Sequence, residues 1–221
     1  MYTFPRFFLL KVLSVGLCLG VLLSSCSADM YAYLLGSSEA DSPLLGSLEY
    51  SIGDIGPAGG YIFYDKGSYI DGWRYLEAAP HGWCNELYDL SYFFGYYMPA
   101  GNGLEVGTGE PNTIALSTMY VTLDSAIDWE PAAKKCIDYR ITVGGISYDD
   151  WFLPSRDELN LMYENLHLHN LGNFTASSYY WSSSVTEDRN SAWGQCFANN
   201  QKTILSIRYS GAFRVRPVRS F

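Results

Sequence analysis

The residues able to carry chemistry are few and poorly grouped. The chain holds five cysteines and three histidines. Cys84, Cys136 and Cys196 are widely separated and form no Cys-x-x-Cys spacing, so a zinc site is not supported. His167 and His169 stand at i and i+2, which points two helical side chains apart, and they read as two exposed histidines. His81 lies in a loop between Pro80 and Gly82 with no nucleophile near it. Ser182-Ser183-Ser184 follows Trp181 in a strand-like run, and no His-Asp pair accompanies it. The glycine-rich stretch Ile52-Gly53-Asp54-Ile55-Gly56-Pro57-Ala58-Gly59-Gly60 has the composition of a phosphate loop. No Lys-Ser/Thr follows it, and what does follow reads as a strand, so it is a turn before a strand. These residues imply no catalytic site, no metal and no cofactor.

Recognition fits the composition better. Aromatic residues make up 16% of the chain, and its 19 tyrosines outnumber the 14 Lys and Arg together. Tyrosine combines a large apolar face with a polar tip and is enriched at wet interfaces. Six aromatics crowd one stretch: Tyr88, Tyr92, Phe93, Phe94, Tyr96 and Tyr97. That stretch belongs to residues 83–123, the least regular part of the sequence, and long irregular segments of folded domains are usually functional. Trp83, Tyr92, Phe94, Tyr96 and Tyr97 are therefore the candidate ligand contacts; the alternative is that half of them fill the core beneath the loop. The formal charge of −9 and a pI near 4.7 exclude a nucleic-acid partner, because nothing offsets the phosphates.

The elements that must position these residues read as one α+β domain. Tyr61-Ile62-Phe63-Tyr64 and Trp73 to Ala79 form a hairpin whose turn is expected at Asp65-Lys66-Gly67-Ser68. One helix is expected over residues 124–140, with Trp129, Ala132, Ala133, Cys136 and Tyr139 at helical spacing. A second begins at Ser155, whose N-cap role is matched by Glu158 three residues on. Leu159, Met162, Tyr163 and Leu166 then form one apolar stripe, ended by Asn170 or Gly172. Short strands follow at 179–184, 192–197, 203–209 and 213–219, read as an antiparallel meander whose last strand is an edge or ends at Pro217.

The N-terminus reads as an address. Residues 1–25 contain Arg6 and Lys11, no acid, and an apolar run too short to span a bilayer, the form of an export signal. Leu23-Ser24-Ser25-Cys26 is similar to the bacterial lipobox, which implies a lipid on Cys26. Losing the two basic residues of the leader leaves 12 basic and 23 acidic groups on 196 residues, a formal −11. Such a domain is repelled by an anionic leaflet, so the lipid is its expected membrane attachment. Residues 26–49 read as a lipidated tether and 50–221 as the domain. The expected place is the bacterial cell envelope, outer membrane or surface.

From Ile52 to Phe221 the chain resembles a known bacterial domain. The matching blocks are Ile52 to Tyr64, Leu76-Glu-Ala-Ala-Pro80, Gly107-Thr-Gly-Glu-Pro-Asn-Thr113, Asp150-Trp-Phe-Leu-Pro-Ser-Arg-Asp-Glu-Leu159, Tyr180-Trp-Ser-Ser-Ser184 and Val215-Arg-Pro-Val-Arg219. They resemble the C-terminal domain of the Legionella collagen-like adhesin, a domain of unknown function. The resemblance implies a C-type lectin-like fold, akin to the formylglycine-generating enzymes: two helices, small twisted antiparallel sheets and a long irregular loop region. It also implies a Cys84–Cys136 disulfide; three free buried thiols are the alternative. The copper cysteine pair of the formylglycine-generating enzymes has no counterpart among Cys136 and Cys196. Glu110-Pro111-Asn112 is the sugar-binding tripeptide of calcium-dependent lectins, but no Trp-Asn-Asp follows, and it reads as a loop turn. The implied function is non-catalytic binding of a glycan or of a host or matrix protein; the alternative is an assembly lipoprotein that docks on another envelope protein.

Overall fold

The computed structural model describes residues 49–95, 102–123, 131–206 and 213–221. The expected leader, Cys26, the tether to residue 48, Tyr96 and Tyr97 lie outside the described residues, as do 124–130 of the first expected helix. Glu49–Phe221 form one compact unit.

β1 (Tyr61–Ile70) and β2 (Trp73–Ala78) make the expected antiparallel hairpin, but its turn lies later than expected. Ile70 pairs with Trp73 around Asp71-Gly72, whose φ values of 56° and 87° are those of a two-residue type I′ turn. The stretch around Gly67 is instead a register irregularity within β1. β3 (Ser91–Tyr92) follows, and then a helix where a loop was expected, α1 (Gly109–Leu123). Pro111 sits in its first turn, where a missing N–H is tolerated. α1 lacks an apolar stripe because the face it buries includes Asn112 and Thr113 beside Leu116. α2 (Ala132–Asp138) buries Ala132, Ala133 and Cys136. β4 (Ile141–Val143) and β5 (Ile146–Tyr148) form a small hairpin across Gly144-Gly145.

α3 (Arg156–Asn165) forms as its residues dictate. Ser155 Oγ accepts from Glu158 N, and the Glu158 carboxylate accepts from Ser155 N, a complete capping box. Its stripe of Leu159, Met162, Tyr163 and Leu166 is buried, and a short 3-10 turn (His167–His169) ends at Asn170 in the left-handed conformation. The remaining strands are β6 (Tyr179–Val185), β7 (Ser191–Cys196), β8 (Lys202–Ser206), β9 (Phe213–Arg214) and β10 (Val218–Ser220).

Three sheets result among the described residues. β1, β2 and β10 form one, in the order β1-β2-β10, and β4-β5 form another. The largest has the order β3-β9-β6-β7-β8. It is not a simple meander, because β9 runs parallel to β6. The expected final strand is split: the chain crosses from the large sheet to the small one between Arg214 and Val218, and Pro217 lies in that crossing. Phe152 clasps the arrival point with two backbone hydrogen bonds to Val218.

β6 separates two apolar clusters. Trp181 joins Trp83, Phe94, Trp151 and Val215 on one side, while Tyr180 joins Phe63, Leu76, Met162 and Phe197 on the other. Alternation along a strand sends neighbours to opposite faces, so one strand serves both cores. The fold is thus α+β, with three helices and several small sheets among the described residues. No helix among them is long and apolar enough to cross a membrane.

Candidate functional site

The aromatic loop is braced from beneath. Backbone turns close Pro80 on Trp83 and Gly82 on Asn85, His81 Nε2 lies 2.7 Å from the Leu87 carbonyl, and Cys84 Sγ donates to the Tyr88 carbonyl. Its key residue is Asp89, buried directly beneath the tip. Asp89 receives the Arg216 fork, Nε to Oδ1 at 2.8 Å and Nη2 to Oδ2 at 2.8 Å. Trp83 Nε1 adds a donor at 2.9 Å and the Tyr180 hydroxyl another at 2.7 Å. Arg216 spends its remaining Nη1 on the carbonyls of Ala79 and Gly172, and its guanidinium lies over the Phe174 ring. Burial, reinforced by the Asp89 charge, pushes the Tyr180 hydroxyl far above the ordinary phenol range.

This bracing changes which residues can meet a ligand. Trp83 is 8% exposed and Phe94 2%, and both belong to the core around Trp181. Both rings are packed into that core and fill it beneath the loop. Tyr92 is half-buried against Trp83, with the Lys135 ammonium over its ring, and burial pushes its hydroxyl up to about 12. Leu87, 83% exposed, and Tyr88, 51% exposed, point out instead, together with Phe93. The Arg214 guanidinium lies 5.2 Å from the Tyr88 ring. Tyr96 and Tyr97, the other two expected contacts, lie outside the described residues.

The glycine-rich stretches are anion cradles filled from within. Ala58 N and Gly60 N donate to Glu77 Oε1 at 3.1 and 2.8 Å, and Arg219 Nη1 reaches Oε2 at 3.2 Å. A Cβ on Gly56 would lie 2.5 Å from the Glu77 carboxyl carbon, and one on Gly60 would lie 1.8 Å from the Ala78 carbonyl oxygen. In the second cradle Gly107 N and Gly109 N donate to Glu158 Oε1 at 2.8 and 3.4 Å, and Ser155 N to Oε2 at 2.7 Å. Desolvation raises both carboxyls against these hydrogen bonds, Glu158 up to about 7. Each carboxylate is enclosed by its own loop and serves to position it.

The remaining candidates sort in the same way. Asn112 of Glu110-Pro111-Asn112 lies in the first turn of α1 and not in a loop turn; its side chain is spent on Gly103 and Ser183. His167 is half-buried against Phe197, Tyr163 and Phe174, which corrects its reading as exposed, whereas His169 is exposed. Ser182, Ser183 and Ser184 are buried and bonded to backbone carbonyls. Cys84, Cys136 and Cys196 are free thiols, so the implied Cys84–Cys136 bridge is not formed in this structure. Burial pushes the Cys136 thiol well up. No cluster of three His, Cys, Asp or Glu able to hold a metal occurs among the described residues.

A scan against protein-family models finds no match to this chain, and neither does a search of curated proteins.

Proposed function

We propose that this chain is a non-catalytic lipoprotein of the bacterial envelope, anchored through Cys26, whose C-type lectin-like domain binds an extracellular glycan or a host or matrix protein. The observation that carries the reading is the loop over Asp89. Its inner residues are fixed by a buried ion pair whose donors and acceptors are nearly all used, while Leu87 and Tyr88 project from it. A rigid scaffold under large exposed side chains lowers the ordering cost of association, which favours binding. The lipobox and the acidic composition support attachment by lipid alone.

The test is an array of glycans and matrix proteins probed with the purified full-length protein, alongside intact-mass analysis of the form made in a lipoprotein-processing host. Binding lost in the Leu87→Ala/Tyr88→Ala double variant, with a diacylglyceryl mass on Cys26, supports the reading. Silence across the array favours docking on another envelope protein, and a Cys26 without lipid removes the anchor.

A further inference from the structure

We propose that the seam between α3 and β7 is a subsite for an uncharged saccharide, with a sugar ring against Trp193 and a hydroxyl donated to Gln195 Oε1. The proposal rests on the binding-module reading and assigns it a ligand class and a second surface, away from the loop over Asp89.

Two registers meet along this seam. Trp193 and Gln195, at i and i+2 on β7, share one face of the sheet. Arg156 and Asn160, at i and i+4 on α3, meet them in the same order. The Arg156 guanidinium lies 5.4 Å from the Trp193 ring, and Asn160 Oδ1 accepts from Gln195 Nε2 at 3.2 Å. Four helical residues rise about 6 Å and two strand residues about 7 Å, so the pairs stay matched. Trp193 and Asn160 are part-exposed there, and Lys202 pairs with Gln195 from β8.

The chemistry comes from the amides. Asn160 Nδ2 donates to Glu164 Oε1 at 2.9 Å, which turns its Oδ1 towards Gln195. Gln195 must therefore present its Nε2 to Asn160, and the same nitrogen meets Asn200 Oδ1 at 2.5 Å. Its Oε1 is left over. Gln195 is 1% exposed, and this oxygen is the buried side-chain polar atom that lacks a partner among the described residues. A buried acceptor without a donor is costly, and elsewhere in this fold buried amides and hydroxyls are bonded. Asn200 is exposed at a left-handed turn position, φ 59°, and rotation of such a side chain is fast. Its swing frees a Gln195 Nε2 hydrogen for an outside acceptor, beside the Oε1 that lacks a donor.

That donor has a definable character. Arg156, paired with Asp157, and Lys202 balance the Asp157 and Glu164 carboxylates, so the seam carries no net charge to hold an ion. An O–H donor that can also accept, carried on a ring with an apolar C–H face, satisfies both the amides and the indole beside them. A neutral sugar has that combination.

The test uses full-length protein labelled with 5-fluorotryptophan, titrated with glucose, galactose, mannose, N-acetylglucosamine and their β-linked trisaccharides. At least one of these should shift the Trp193 resonance while those of buried Trp83 and Trp181 stay. Trp193→Ala and Gln195→Leu should each weaken that binding about tenfold. The native-chain resonance decides the matter if either variant fails to fold. Saccharide binding that leaves Trp193 unmoved, or no binding by any of these sugars, overturns the subsite. If none of these sugars binds but a matrix protein binds through Leu87 and Tyr88 in the same preparation, the binding-module reading stands while the subsite falls.

Discussion

Arg216 grips Asp89 with two parallel hydrogen bonds of 2.8 Å, and both side chains are 1% exposed. One residue comes from the aromatic loop and the other from the last crossing of the chain, so the pair ties the loop to the C-terminal segment. Its lone pairs and protons are nearly all used, by Trp83, Tyr180, Ala79 and Gly172. Removing one partner strands the other charge. Arg216→Met should destabilise the domain by about 3–5 kcal/mol, measured by urea unfolding. A loss under about 1 kcal/mol would show that the pair does not hold the loop.

The aromatic loop predicts a separation of stability from binding. Phe94→Ala should cost about 3–5 kcal/mol of stability, because its ring packs on Trp181 in the core. Leu87→Ala and Tyr88→Ala should each change stability by no more than about 0.5 kcal/mol, as exposed positions do, while reducing binding. Thermal melts beside array binding check both halves.

Glu158 gives stability a pH dependence of definite sign. Its folded pKa of about 7 lies above the ordinary 4.5, so the folded chain holds this proton more tightly than the unfolded chain. Its contribution is full below pH 4.5 and is lost as pH rises through about 7, an effect on the order of 3 kcal/mol. Glu77, also raised, acts in the same direction. Urea midpoints measured from pH 4.5 to 8 should fall, and the fall should be shallower in Glu158→Gln.

Two glycines separate crowding from backbone strain. Gly60→Ala would drive a methyl into the Ala78 carbonyl and should cost more than about 3 kcal/mol. Gly67, at φ 85°, has open space around it, so Gly67→Ala should cost only about 1–2 kcal/mol, the left-handed backbone penalty. Equal losses at the two sites would contradict the cradle geometry.

The thiols differ in reach. Cys84 is part-exposed, while Cys136 is buried with its thiol pushed up. Iodoacetamide should label Cys84 in the native protein and Cys136 only after unfolding, as read by peptide mass mapping. A peptide pair joined through Cys84 and Cys136 that separates on reduction would overturn the free-thiol arrangement.

Legibility in the sequence followed the kind of force at work. The start and buried face of α3 were readable to the residue, because the Ser155–Glu158 capping box and the stripe from Leu159 to Leu166 are local signals; its α-helical part ends at Asn165, with a 3-10 turn before the expected stop at Asn170. α1 was not, since it buries polar Asn112 and Thr113, the first against Gly103 of the preceding loop and the second against Leu153, 40 residues on. The first hairpin was found but its turn misplaced, although Asp71-Gly72 is a strong type I′ pair. The sidedness of the aromatic loop depends on Asp89 meeting Arg216 across 127 positions, which no local pattern encodes. An arginine amid Val215, Pro217 and Val218 was the available hint of a buried charge.

Tyr50 and Phe221 stand edge to face, 5.6 Å apart, and both lean on Tyr75; the backbone of Phe221 bonds to Tyr75 as well. Entry and exit of the domain thus share one hinge post on β2. A unit whose ends meet can be spliced into a surface loop of another protein, or reopened at a distant turn such as Asp71-Gly72, without rerouting its interior.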